Sequence, residues 1–209
     1  MPHPALIEQR PWLIAAIITA VAYNFLQYTI LPQAYLILFE FLPFALLTNY
    51  VLVRHRSADA NLLALILLLE GVGAAFYDVF DYQATAFTMA GTVVGIGLFL
   101  HHLEDDLSSP GKWAPALILF VAPTALSFVS GISHGISPAF QGLALGGMAA
   151  TAWISTYPRE RVGIGAVMVM AASVIALQSP GHWLSWPLFF IGYLVLATGI
   201  TRDLRAHDA

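Results

Sequence analysis

Cysteine is absent from the 209 residues. That removes disulfides, thiolate metal sites and cysteine nucleophiles together. Charge is scarce too: Asp, Glu, Lys and Arg make up 10% of the chain, 8 basic against 12 acidic residues. The basic residues stand in small groups between long apolar runs, so no continuous basic face exists to follow a phosphate backbone, and nucleic acid is not expected as a partner. Long polar stretches are lacking as well. Apolar residues are 59% of the sequence and the mean hydropathy is +0.78, outside the range of a water-soluble globule of this size. A polytopic membrane protein is what remains.

A spanning helix takes roughly 20 mostly apolar residues. The pattern predicts eight: Trp12 to Leu31, Ala34 to Val53, Ala60 to Phe80, Ala84 to Leu103, Trp113 to Ser130, Ile136 to Thr156, Val162 to Gln178 and Trp183 to Thr201. Short turn signals separate them, such as Pro32-Gln33, Asp81-Tyr82-Gln83 and Ser179-Pro180-Gly181. The expected fold is all-α, one domain over residues 1–209, a single bundle of eight transmembrane helices.

With eight spans, one side receives both ends of the chain and the connections after helices 2, 4 and 6. Those places contain Arg10, Arg54, Arg56, Lys112, Arg159, Arg161, Arg202 and Arg205, which is every Lys and Arg. The positive-inside rule makes that side cytoplasmic, with both termini inside. The first apolar run is too long for a signal-peptide core and no small-residue cleavage motif follows it, so it is expected to stay as a membrane helix. In a prokaryote the location would be the inner membrane.

Several features have a plain structural reading. Gly91 with Gly95, and Gly142 with Gly146, are small-xxx-small patterns that let helices approach closely. The repeated Val-Gly-Ile-Gly at 94–97 and 162–165 is four common residues and carries no argument for duplication. Trp12, Trp113, Trp183 and Trp186 fall near predicted helix ends, where an amphipathic ring prefers the membrane interface. Gly131-Ile132-Ser133-His134-Gly135 matches a nucleophile-elbow pattern, but it sits in a predicted external loop and not between a strand and a helix. His101-His102 followed by Glu104-Asp105-Asp106 reads as a solvated acidic loop and not as a metal centre; no metal or other cofactor is expected.

The informative residues are carboxylates within apolar runs. A charged side chain in the hydrocarbon region costs at least about 2.5 to 3.5 kcal/mol, so it is retained where something uses it. Glu40 lies in helix 2, Glu70 near the middle of helix 3, and Asp78 near the outer end of helix 3. Eight residues separate Glu70 from Asp78, which leaves them on broadly one helix face with Asp78 about 12 Å nearer the outside. Asn24 and Gln27 on helix 1 fall at similar depths. Together these residues outline a polar cavity in the central and outer half of the bundle. Glu70, furthest from water, is expected to stay neutral and donate a proton, while Asp78 stays ionised. The plain alternative makes all three carboxyls neutral interhelical hydrogen-bond donors to Asn24, Tyr23 or backbone.

The stretch Glu70-Gly71-Val72-Gly73-Ala74, the glycine-rich helix after it, Val162-Gly163-Ile164-Gly165-Ala166 and Phe189-Phe190-Ile191-Gly192-Tyr193 resemble the YhhN family of membrane lysoplasmalogenases. Those are eight-helix proteins of about this length, and the resemblance covers about two thirds of the chain. Aligned by the turn after helix 3, the family's serine falls on Glu70, its glycine on Gly73 and its aspartate on Ala74. The Ser-Asp pair of helix 7 falls on Ala172 and Ser173, and a lysine before Pro43 is Leu42 here. The acids are thus relocated. The resemblance implies a hydrolase acting on the vinyl ether bond of a membrane lipid, with Glu70, Asp78 and Glu40 as catalytic groups and Asn24, Gln27 and Tyr193 binding the substrate. The same carboxylates would equally suit an isoprenoid cyclase, an epoxide hydrolase, or a carrier relaying protons or cations; a non-catalytic membrane partner protein is the remaining alternative.

Overall fold

The computed structural model describes residues 10–104, 109–130, 138–178 and 182–207. Among the described residues there are eight helices: α1 (Arg10–Leu26), α2 (Gln33–Arg54), α3 (Ala58–Phe76), α4 (Asp81–His101), α5 (Ser109–Ser130), α6 (Pro138–Trp153), α7 (Val162–Gln178) and α8 (Ser185–His207). No strand occurs among them beyond a single bridge between Leu103 and Ser155. Helices α2, α3, α4 and α8 are long and apolar enough to cross a membrane; α1, α7 and the apolar part of α5 are shorter. Each of the eight runs predicted from hydropathy corresponds to one helix.

Boundaries differ in instructive places. The first helix stops at Leu26 and not Leu31, because the chain tightens there. The amide of Thr29 and its hydroxyl both donate to the Leu26 carbonyl, at 2.9 and 2.6 Å. Pro32 then stands immediately before α2, where its missing N–H costs nothing. Helix α3 stops at Phe76 and not Phe80: the amides of Tyr77 and Val79 reach back three residues, to Ala74 and Phe76, which closes the helix in a tighter turn. Asp81 begins α4, its negative charge on the side of the N-terminal end of the helix dipole. Asp78 is therefore in the α3–α4 turn and exposed, outside the helix in which the sequence reading put it.

The chain divides into two compact units, residues 1–91 and 92–209, with the boundary inside α4. In the first unit α1 packs on α2 and α2 on α3. The turn from α2 to α3 is short: His55 caps α2 and the Ser57 hydroxyl accepts the amide of Ala60 at the start of α3. Glycines bring the neighbours of α3 close. A methyl on Gly71 would lie 2.5 Å from Cβ of Phe44 in α2, and one on Gly73 would lie 2.4 Å from Cγ2 of Thr88 in α4. In α1 the buried stripe is Ala16, Ala20 and Tyr23, at spacings of four and three.

In the second unit α5 packs on α6 and α7 on α8. Gly142 and Gly146 are packing glycines as their spacing predicts: methyls there would lie 2.6 Å from Cα of Pro123 and 2.9 Å from Cβ of Ala122. The two Val-Gly-Ile-Gly strings have unlike surroundings, Gly97 facing open space and Gly165 lying against the backbone of Gly192 and Leu196. Trp12, Trp113 and Trp183 are exposed, but Trp186 is buried and stacked on Phe190, ring centres 6.5 Å apart. Its place one residue inside α8 puts Phe190 one helical turn away, and that ring covers it.

Candidate functional site

The polar groups of the first unit come from three of its elements. Tyr23, the last residue of the buried stripe of α1, is hydrogen-bonded through its hydroxyl to the carboxyl of Glu40 on α2. Asp78, in the turn after α3, is close enough to act electrostatically on both. Tyr23 is 6% exposed, Glu40 half-buried and Asp78 exposed, so the three form a polar group graded from apolar interior to surface.

Helix register sets the depth of these groups relative to Glu70. Phe44 lies opposite Gly71 in the antiparallel α2–α3 pair. Four residues toward the N-terminus of α2, Glu40 then falls at the level of Ala75, about 7.5 Å from the level of Glu70 at 1.5 Å per residue and near the end of α3 that leads to Asp78. Pro43 contributes to this stretch of α2. Lacking an N–H, it cannot donate the usual helix bond to the carbonyl of Phe39.

Glu70 is 1% exposed. It faces α4, where a methyl on Gly91 would stand 2.8 Å from its Oε1 and 3.1 Å from its Cγ. The carboxyl thus occupies space that any other residue at position 91 would need. Gly73, three residues along α3, faces the same helix at Thr88 and Ala84, whereas Gly71 faces α2. Glu70 is accordingly turned toward α4, while Asp78 is associated with Glu40 and Tyr23.

The other residues singled out from the sequence lie as follows. Gln27 donates from Nε2 to the side-chain and backbone oxygens of Asn24, both at 3.1 Å, so these two partly satisfy each other along α1. Tyr193 belongs to the second unit, fully buried and edge-on to Phe189 with ring centres 5.1 Å apart. Glu104, its side chain 41% exposed, pairs with Arg159, and its amide donates to the carbonyl of Ile154. His102 beside it accepts the amide of Thr156 on its carbonyl and stacks near Tyr157. Asp105, Asp106 and the segment Gly131 to Gly135 lie outside the described residues. Among the described residues no three His, Asp or Glu side chains stand together as a metal site.

Tyr23 was legible only as one possible partner of the buried carboxyls, and its place in the i, i+4, i+7 stripe with Ala16 and Ala20 marks it as facing the interior. Gly91 was visible only as half of a small-xxx-small pair. Nothing in spacing distinguishes a glycine that admits a helix from one that admits a carboxyl.

These features define a helical protein with several membrane-compatible helices and an acidic group in its first unit. No protein-family model matches the sequence, and neither does any curated protein or solved structure.

Proposed function

We propose that this is an integral membrane enzyme of multi-pass topology that hydrolyses a lipid by acid-initiated chemistry, the bond being a vinyl ether as the resemblance to lysoplasmalogenases implies. The observation that carries this reading is the set Glu70, Glu40 and Asp78 in the first unit, the first enclosed, the second bonded to a tyrosine hydroxyl, and the third exposed in the turn after α3. Carboxyl groups among apolar helices cost several kcal/mol when they serve only packing.

The roles follow from depth. Glu70, cut off from water, donates its proton to the alkene carbon of the enol ether that is not bonded to oxygen. The positive charge then lies on the carbon bonded to oxygen. Water adds to that carbon and gives a proton to the carboxylate of Glu40 or Asp78, with Tyr23 holding Glu40 in place. The resulting hemiacetal collapses to a fatty aldehyde and the alcohol of the lipid. The proton taken up by the base returns to Glu70, so no proton is consumed.

The grouping of the eight basic residues supports cytoplasmic chain ends, with the Asp78 end of the acidic group toward the opposite face. The purified protein, reconstituted in liposomes carrying a 1-alkenyl lysophospholipid, tests the reading through aldehyde release. Aldehyde formed above the rate of protein-free liposomes supports it. An unchanged rate, with protein shown to be folded and inserted, overturns it.

A further inference from the structure

We infer that Gly91 is a positioning residue for Glu70, a bare stretch of α4 that fixes where the Glu70 carboxyl points. The inference rests on the reading of Glu70 as the proton donor. The glycines around α3 separate into two kinds by what stands opposite them. Gly71 meets Cβ and Cγ of Phe44 at 2.5 and 3.0 Å, and Gly73 meets Cγ2 of Thr88 and the backbone oxygen of Ala84 at 2.4 and 3.0 Å. At those two positions the absent side chain admits a neighbouring helix. At Gly91 the three nearest atoms are Oε1, Cγ and Cδ of Glu70, at 2.8, 3.1 and 3.2 Å, and no helix backbone is among them. What the missing side chain admits there is the carboxyl group.

This difference predicts different responses to one added methyl. At Gly73 the obstacle is partly backbone, so the helices themselves must separate. At Gly91 the obstacle is the end of a side chain with three rotatable bonds, so the side chain moves instead. Since Glu70 is 1% exposed, it cannot swing out into solvent and must take another rotamer with other neighbours. A general acid so displaced points its proton elsewhere, while the fold around it persists.

Infrared spectroscopy of the detergent-solubilised full chain reads this without any substrate. The band to follow is the carboxyl or carboxylate stretch that disappears in Glu70→Gln. We expect this band to shift in Gly91→Ala and to keep its position in Gly73→Ala, a packing control. An unshifted band in a folded Gly91→Ala protein overturns the inference. If Gly91→Ala does not fold, the double variant Glu70→Asp/Gly91→Ala decides, because removing one methylene from the acid makes room for the new methyl. Recovery of folded protein supports the inference; failure to recover makes Gly91 a helix-packing glycine and overturns it. Neither readout depends on turnover, so the inference and the enzymatic reading fail separately.

Discussion

The hydroxyl of Tyr23 on α1 is hydrogen-bonded to the carboxyl of Glu40 on α2, with Asp78 beyond them at the end of α3. One hydrogen bond thereby ties the buried stripe of the first helix to an acid of the second. Interhelical hydrogen bonds of this kind contribute about 0.6 to 2 kcal/mol in membrane proteins.

Tyr23→Phe removes that bond while keeping the ring, so it should lower the stability of the folded protein by an amount in that range. Thermal unfolding of the detergent-solubilised protein measures it. In a double-mutant cycle with Glu40→Gln the two changes should be non-additive. Additive effects would mean that the two side chains do not act on each other.

Two glycines should respond in opposite directions to alanine. Gly73→Ala places a methyl 2.4 Å from Thr88, and overpacking of this kind costs about 1 to 3 kcal/mol. Gly97 has nothing within 4 Å of the added methyl and lies inside α4. There the substitution should be neutral or stabilising by about 0.4 to 1 kcal/mol, since it restricts the unfolded chain. Unfolding midpoints of the two variants check both signs.

The absence of native cysteine makes topology directly measurable. Ala58, at the start of α3, and Gln83, in the first turn of α4, are both exposed and lie at opposite ends of α3. A membrane-impermeant thiol reagent applied to intact cells should label Gln83→Cys and spare Ala58→Cys. The opposite pattern would reverse the orientation inferred from the basic residues.

The ion pair of Glu104 with Arg159 should matter little. Both side chains are about one-third exposed or more, at 41% and 34%, and such pairs contribute about 0 to 1 kcal/mol. Arg159→Ala should therefore shift the unfolding midpoint slightly, and raising the salt concentration should abolish the difference. A large loss that persists in salt would show that Arg159 holds more than this carboxylate.

Helix number was legible because apolar runs divided by turn signals mark helices, and eight such runs are plain in the sequence; four of the helices are long and apolar enough to cross a membrane. Helix ends were less so. The stop at Leu26 depends on a single hydroxyl of Thr29, and the stop at Phe76 on a turn three residues wide, features that hydropathy does not register. Candidate acids were legible from cost alone, since Glu40 and Glu70 interrupt apolar helices. Which of them meet was not. The pairing of Tyr23 with Glu40 spans two helices and follows from their packing, and the turn of Glu70 toward Gly91 follows from how α4 lies on α3. Trp186 looked like an interface anchor by position, and only its neighbour Phe190 shows why it is covered.

The most direct test of the account is the turnover of Glu70→Gln. Glutamine keeps the shape and a hydrogen-bond donor in the niche beside Gly91 but has no proton to transfer. In liposomes carrying a 1-alkenyl lysophospholipid, the folded variant should bind the lipid and release aldehyde about a hundredfold or more slowly than the parent, the scale of a general acid's contribution. Release at the parental rate would make Glu70 a structural hydrogen-bonding residue and contradict the mechanism.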